Sequence, residues 1–198
     1  MINTLKTFCF LLGMLISFTS FGQGPEIPAI KERVVAFMEL TNNKKYSEAF
    51  EYTYPRMFEL VPKDQLVDVM KSMDQNGLSL VIINPVITSY SEPLVEGTEK
   101  FVRIEYTADL KVNIATGSMF DTPAACDAIQ GQFFSIYGKE NVKWNKDEKR
   151  YDIVAKKAML AIQPEGGQWY IVEIRPDQMD LMKALFSETV IKKFIAVE

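Results

Sequence analysis

The most regular array of side chains capable of acid–base chemistry lies in residues 103–111. Glu105 and Asp109 alternate there with apolar residues, and Arg103 and Lys111 follow the same spacing. Residues two apart in a strand share one face, so all four charged side chains lie on the same side. A carboxylate acts as a general base when burial raises its pKa, whereas mixed opposite charges on one face predict a solvated ladder. We therefore predict no catalytic residue in this array.

The composition restricts the chemistry further, because the sequence contains no histidine. Ser-His-Asp and Cys-His nucleophilic sites need an imidazole base, and many zinc, iron and copper sites use imidazole ligands. No Asp-x-Asp-x-Asp-Gly calcium loop occurs, and Gly166-Gly167 joins two predicted strands instead of opening a phosphate-binding helix. We predict neither a metal site nor a cofactor, and we expect a protein that is not an enzyme.

The charge of the chain argues against nucleic acid as a partner. The sequence has 22 Lys and Arg residues against 26 Asp and Glu residues, a formal net charge of -4. The basic residues at 143–157 are interrupted by Asp147, Glu148 and Asp152, which is typical of a solvated hairpin and not of a phosphate-binding stripe.

The first 22 residues have the pattern of a signal peptide. Lys6 precedes an apolar run at residues 8–16, and the small residues Ser20 and Gly22 come just before Gln23. The run is too short to span a bilayer, which takes roughly 20 apolar residues. We predict cleavage near Gly22, export to the periplasm or the medium, and no membrane-spanning segment. Residues 23–198 are then one α+β domain with Cys126 as its single thiol.

The pattern of apolar residues predicts helices at both ends and a sheet between them. Residues 27–41 and 62–76 have helical spacing, and a strand at 102–114 alternates apolar with polar residues throughout. Thr122 and Gly138 bound a further helix, and the chain returns to helix after Asp177. The predicted fold is α+β, with a curved antiparallel sheet of four to six strands packed on N-terminal helices and additional C-terminal helices. One sheet face is expected to meet water.

Three segments resemble the nuclear transport factor 2-like superfamily, whose fold is a cystatin-like α+β cone. They are Phe37-Met38-Glu39-Leu40, Tyr46-Ser47-Glu48-Ala49-Phe50 and Gly166-Gly167-Gln168-Trp169-Tyr170-Ile171-Val172. The resemblance implies an exported bacterial member with a cavity between sheet and helices. It also implies that tyrosine hydroxyls on inward faces take the polarising role seen in enzymes of the superfamily. Tyr106 is the best placed, and Tyr52, Tyr54 and Tyr90 are further candidates.

These features predict a non-catalytic exported binding domain with an apolar pocket for a small or lipidic ligand. Tyr106 and Trp144 are expected near its rim. One alternative is a protein-interaction or dimerisation domain of a cell-envelope assembly, whose partner is another envelope protein or a second copy. Phe101 and Phe134 are the expected exposed contacts of such a domain. The second alternative is an enzyme that uses tyrosine hydroxyls and is similar to SnoaL-like cyclases or ketosteroid isomerase.

Overall fold

The structure is a computed structural model that describes residues 26–196. The predicted signal peptide at residues 1–22 lies outside the described residues. The described part forms seven α-helices: α1 (Glu26–Asn42), α2 (Tyr46–Ala49), α3 (Met57–Leu60), α4 (Lys63–Gln75), α5 (Pro123–Tyr137), α6 (Met179–Leu185) and α7 (Glu188–Val190). A π-helix at Ile191–Ile195 continues α7. Among these residues, no helix has the length and apolar character that crossing a membrane requires.

Six antiparallel strands form one open sheet: β1 (Leu78–Tyr90), β2 (Leu94–Glu96), β3 (Glu99–Ile114), β4 (Val142–Asn145), β5 (Arg150–Gln163) and β6 (Tyr170–Glu173). The two long strands β3 and β5 pair at the centre. β1 and β2 both pair with the other side of β3, and β4 and β6 both pair with β5. The predicted α+β class, with N-terminal helices, an antiparallel sheet of four to six strands and C-terminal helices, is confirmed.

Helix α1 packs on one face of the sheet, here called the α1 face. Ile30, Val34 and Met38 recur every four residues and are buried there. Beneath them lie the alternate residues of β3: Val102, Ile104, Tyr106, Ala108, Leu110, Val112 and Ile114. The regular alternation of this strand thus places its apolar half in the core, as predicted.

The C-terminal end of α1 is fixed to the edge strand β1. The Asn42 side-chain amide donates to the Ile82 carbonyl, and the Ile82 backbone N–H donates to Asn42 Oδ1, both at 2.7 Å. Backbone groups on an edge strand are otherwise left unpaired. This pair of hydrogen bonds sets the position of α1 over the sheet and covers part of the edge.

Helix α5 covers the other end of the α1 face. The Thr122 hydroxyl accepts a hydrogen bond from the Ala125 N–H, and Gly138 follows the helix with a φ of 84°, so both predicted ends are confirmed. Phe133 packs edge-on against Tyr151 at 5.2 Å between ring centroids. The Tyr151 hydroxyl donates to the Cys126 carbonyl at 2.8 Å. Helices α1 and α5 therefore hold opposite ends of one face and leave a gap between them.

The opposite face of the sheet, here called the α6 face, is also buried at one end. Phe101, Leu160, Ile162, Val172 and Ile174 form a second core cluster beneath the C-terminal helices, together with Met182, Leu185, Phe186, Val190, Phe194 and Ile195. The prediction that this face meets water is wrong here, because the C-terminal helices fold back over it. Phe101, expected to be exposed, is only 4% exposed. Further along the same face, Glu105 and Asp109 are exposed, as expected, and Val154 is exposed as well.

Candidate functional site

A cavity of about 230 Å³ lies in the gap on the α1 face. Its walls are apolar side chains from α1, α2 and α4, among them Phe37, Ala49 and Met70. Its floor is the sheet, where Leu80 of β1, Leu110 of β3 and Ala155 of β5 contribute. Ala155 stands between Ile153 and Lys157 on the inward side of β5, and its small side chain leaves room that a larger residue would fill.

Four polar side chains meet at one end of this cavity: Tyr106, Tyr137, Lys157 and Glu173. Strand register brings three of them together. Tyr106 of β3 is directly opposite Lys157 of β5. Glu173 of β6 is directly opposite Met159, which follows Lys157 by two residues and shares its face of β5. Tyr137 reaches the same place from the last residue of α5. We call these four residues the polar cluster.

Lys157 is the most enclosed charge of the polar cluster. Its side chain is 14% exposed, whereas that of Glu173 is 38% exposed. Lys157 Nζ lies 3.6 Å from Glu173 Oε1 and 5.0 Å from the centre of the Tyr137 ring. The first distance gives an ion pair that is longer than a normal hydrogen bond, and the second is within the range of a cation–π contact.

Both tyrosine hydroxyls of the polar cluster stay protonated through the neutral pH range. Burial raises the pKa of Tyr106 far above its usual value of 10.0, and the nearby Glu173 carboxylate raises it further. Burial also raises the pKa of Tyr137 to about 12, again with a contribution from Glu173. Within residues 26–196 neither hydroxyl has a side-chain hydrogen-bond partner. Both are therefore available as donors to a molecule in the cavity.

These shifted pKa values predict a loss of stability in alkaline solution. The folded-state pKa of Tyr137 lies near 12 and that of Tyr106 lies higher, while an unfolded tyrosine titrates near 10.0. Above pH 10 the unfolded chain releases protons that the folded chain keeps, so the free energy of unfolding falls as pH rises. We expect urea unfolding midpoints that drop between pH 10 and 12. Burial also raises the pKa of Tyr46, Tyr54 and Tyr151, so Tyr106→Phe and Tyr137→Phe should each reduce this pH dependence only in part. A pH dependence that is unchanged in both variants would contradict the assignment.

The carboxylate of the polar cluster is in contact with solvent and with a lysine. Glu173 is its only carboxylate, and this side chain is partly exposed and paired with Lys157. Burial raises the pKa of a carboxylate and makes it a stronger base near neutral pH, and the Glu173 side chain is 38% exposed. The neighbouring Arg175 is also engaged, because its guanidinium donates to both oxygens of Asp177 at 3.0 and 2.8 Å. The arrangement is suited to binding a hydrogen-bond acceptor beside an apolar group.

The five residues predicted from the sequence to line a pocket lie in different parts of the structure. Tyr106 lines this cavity. Tyr90 lines a separate groove between α1 and β1. Tyr52 lies 3.9 Å beneath the Arg33 guanidinium. Trp144 packs on Tyr151 at 4.6 Å between ring centroids.

Tyr54 belongs to the second core cluster on the α6 face. It stacks on Phe186 at 6.1 Å, and its hydroxyl donates to Glu99 at 2.7 Å. The structure thus brings Tyr106 to the cavity and places Tyr54 on the opposite face of the sheet.

Sequence reasoning did not select Lys157, Glu173 or Tyr137. Lys157 carries a readable signal, because it continues the alternate positions of Tyr151, Ile153 and Ala155 on the buried face of β5. A lysine at an inward position of an apolar strand is unusual, since buried charges are costly. Glu173 follows Ile171 by two residues on β6 in the same way. Tyr137 ends the apolar side of α5.

No metal centre is evident in the part of the chain that the structure describes, where no three Cys, Asp or Glu side chains come together. The polar cluster supplies one carboxylate, which is too few ligands for an oxygen-ligated cation. Its chemistry is instead that of hydrogen-bond donors beside an apolar cavity. The sequence matches no protein-family model, and no curated protein is significantly similar to it.

Proposed function

We propose that the protein is a non-catalytic binding domain whose α1-face cavity holds a small or lipidic ligand. One observation carries this proposal: a cavity with apolar walls ends in hydrogen-bond donors that have no partner among the described side chains. Sites for small molecules combine a mostly apolar lining with a few polar groups that fix orientation. Export of the domain to the periplasm or the medium is part of the proposal, and it rests on the signal-peptide pattern of residues 1–22.

We also propose that the fold is a divergent cystatin-like cone of the nuclear transport factor 2-like superfamily. Helices α1 to α4 precede an antiparallel sheet, and α1, α2 and α4 line the cavity on its α1 face, which is the layout that the sequence resemblance implies. Helix α5 and the C-terminal helices depart from this layout. Helix α5 narrows the cavity through Tyr137, and the C-terminal helices cover one end of the α6 face.

An isomerase-type enzyme is the second candidate, because Glu173 lies near two tyrosine hydroxyls. The exposure of Glu173 and its pairing with Lys157 favour binding over proton abstraction. A screen of the purified protein with carbonyl substrates distinguishes the two, since turnover that disappears in Tyr106→Phe would establish catalysis. The dimerisation alternative is weakened, because Phe101 is buried inside the protein and Phe134 is partly buried against the first core cluster.

Filling the cavity is expected to abolish ligand binding. We propose the variant Ala155→Leu, which adds three carbon atoms to the cavity floor. The probe is N-phenyl-1-naphthylamine, an uncharged dye whose fluorescence rises in apolar sites. We expect binding to the wild-type protein and affinity at least about tenfold lower in the variant, which corresponds to about 1.4 kcal/mol.

The matched control is Val154→Leu, on the same strand but on the α6 face, where the side chain is 44% exposed. This variant should bind the dye as the wild-type protein does, and thermal unfolding verifies that both variants are folded. Equal dye binding by Ala155→Leu would show that the cavity is not the site. A wild-type protein that does not bind the dye, and that carries no ligand in native mass spectrometry, would refute the proposed function.

A further inference from the structure

We propose that the cavity selects ligands whose polar group is an uncharged hydrogen-bond acceptor, such as the carbonyl of an ester, an amide or a ketone, and rejects anionic groups. This inference rests on the proposed function and names the class of ligand. The polar cluster carries it through two properties: an excess of hydrogen-bond donors and a net charge of zero.

The excess of donors follows from the inventory of the polar cluster. Lys157 has three N–H donors, and Tyr106 and Tyr137 have one O–H donor each. The acceptors are the two Glu173 oxygens, of which Oε1 lies 3.6 Å from Lys157 Nζ, and the two tyrosine oxygens, so five donor hydrogens face four acceptor oxygens. No side chain among the described residues accepts from either tyrosine hydroxyl, so both are open to a ligand oxygen in the cavity. A ligand that supplies an acceptor oxygen bonds to these open donors, whereas a ligand that supplies only donors must compete with Lys157 for the Glu173 carboxylate.

The zero net charge follows from the pairing of every ionised group that lies at the cavity. Lys157 is paired with Glu173. Arg175, beyond Glu173 in sequence, is paired with Asp177. At the opposite wall the Tyr46 hydroxyl donates to Asp74, and Asp74 is paired with Lys44 at 2.9 Å. No unpaired positive charge among these groups is left to meet an anion.

A carboxylate entering this cavity would add a negative charge beside Glu173. The carboxylate would lose its hydration, and its attraction to Lys157 would be weak because Glu173 already neutralises that charge. A carbonyl oxygen accepts the same hydrogen bonds from Lys157 and the two tyrosines without adding a charge. Glu173 is thus the residue that we infer to determine ligand charge, and Lys157 is the main donor.

The test compares octanoate with methyl octanoate, which share one chain and differ in charge at the head. Each displaces N-phenyl-1-naphthylamine from the purified protein at pH 7.5, where octanoate is ionised. We expect the ester to bind at least about tenfold more tightly than the carboxylate. Tighter binding of octanoate, or equal binding of the two, would overturn the inference.

Two substitutions that nearly keep the size of the native side chain test whether charge determines which ligand binds. Glu173→Gln leaves Lys157 unneutralised, so octanoate should gain at least about tenfold in affinity while the ester changes less than about threefold. Lys157→Met removes the main donor and leaves Glu173 unpaired, so both compounds should bind more weakly, octanoate the more so. A ratio of the two affinities that is unchanged in Glu173→Gln would refute the role given to Glu173.

The outcomes also separate this inference from the proposed function. Dye binding that neither octanoate nor its ester can displace would leave the cavity as a ligand site and overturn the head-group assignment. Failure of the dye itself to bind would refute the proposed function and the inference with it. Thermal unfolding of both variants shows whether a change in affinity reflects the cavity or the stability of the fold.

Discussion

Replacing Leu160 with alanine is expected to lower the free energy of unfolding by about 3–5 kcal/mol. Leu160 is fully buried in the second core cluster, where Val172 is its direct partner on β6. Truncating such a side chain removes its transfer free energy and leaves a cavity that the surroundings fill only in part. Urea denaturation followed by circular dichroism measures this change.

Val154 provides a matched control for this experiment. It lies on the same strand and on the same α6 face as Leu160, six residues away, but it is 44% exposed. Val154→Ala should therefore cost less than about 0.5 kcal/mol. Similar costs at the two positions would mean that the C-terminal helices do not cover the face as the structure shows. The contrast thus tests that covering directly, with strand and face held constant.

The covering of the α6 face shows what the sequence could and could not predict. The alternation in residues 102–114 predicts a strand with one buried face, and the structure confirms it because the β3 side chains from Val102 to Ile114 follow the period of two. In β5 the alternation stops at residues 159–162, where all four side chains are buried. A continuous apolar run indicates a strand that is buried on both faces. This signal was present, but it does not say which element covers the second face.

The candidate site was predictable to a smaller extent. The position of Tyr106 on the inward face follows from the same alternation. Tyr106, Lys157 and Glu173 meet because β5 pairs with β3 on one side and with β6 on the other, and that register is a property of the folded sheet. The gap that makes the cavity depends on where α1 and α5 dock. Periodicity within one segment carries no information on either arrangement.

Replacing Gly77 with alanine is expected to lower the free energy of unfolding by about 2–5 kcal/mol, through two costs that add. Gly77 has a φ of 88°, and a residue with a Cβ in the left-handed region costs about 1–2 kcal/mol. A Cβ at this position would also lie 2.6 Å from Ser118 Cβ and 2.9 Å from Ala115 Cβ. Such overlap adds about 1–3 kcal/mol.

Gly97 separates the two costs experimentally, because its φ is 60° and no atom lies within 4 Å of the place a Cβ would take. Gly97→Ala should show the backbone cost alone, about 1–2 kcal/mol. Equal losses of stability at both glycines would mean that residues 115–118 shift at no cost.

The position of Gly77 matters for the cavity as well as for stability. Gly77 joins α4 to β1, and its carbonyl accepts from the Ala115 N–H at 2.8 Å. Met70 of α4 and Leu80 of β1 both line the cavity. A shift of the backbone at Gly77 should therefore weaken dye binding in Gly77→Ala, the variant that loses the most stability. Gly97→Ala should leave dye binding unchanged.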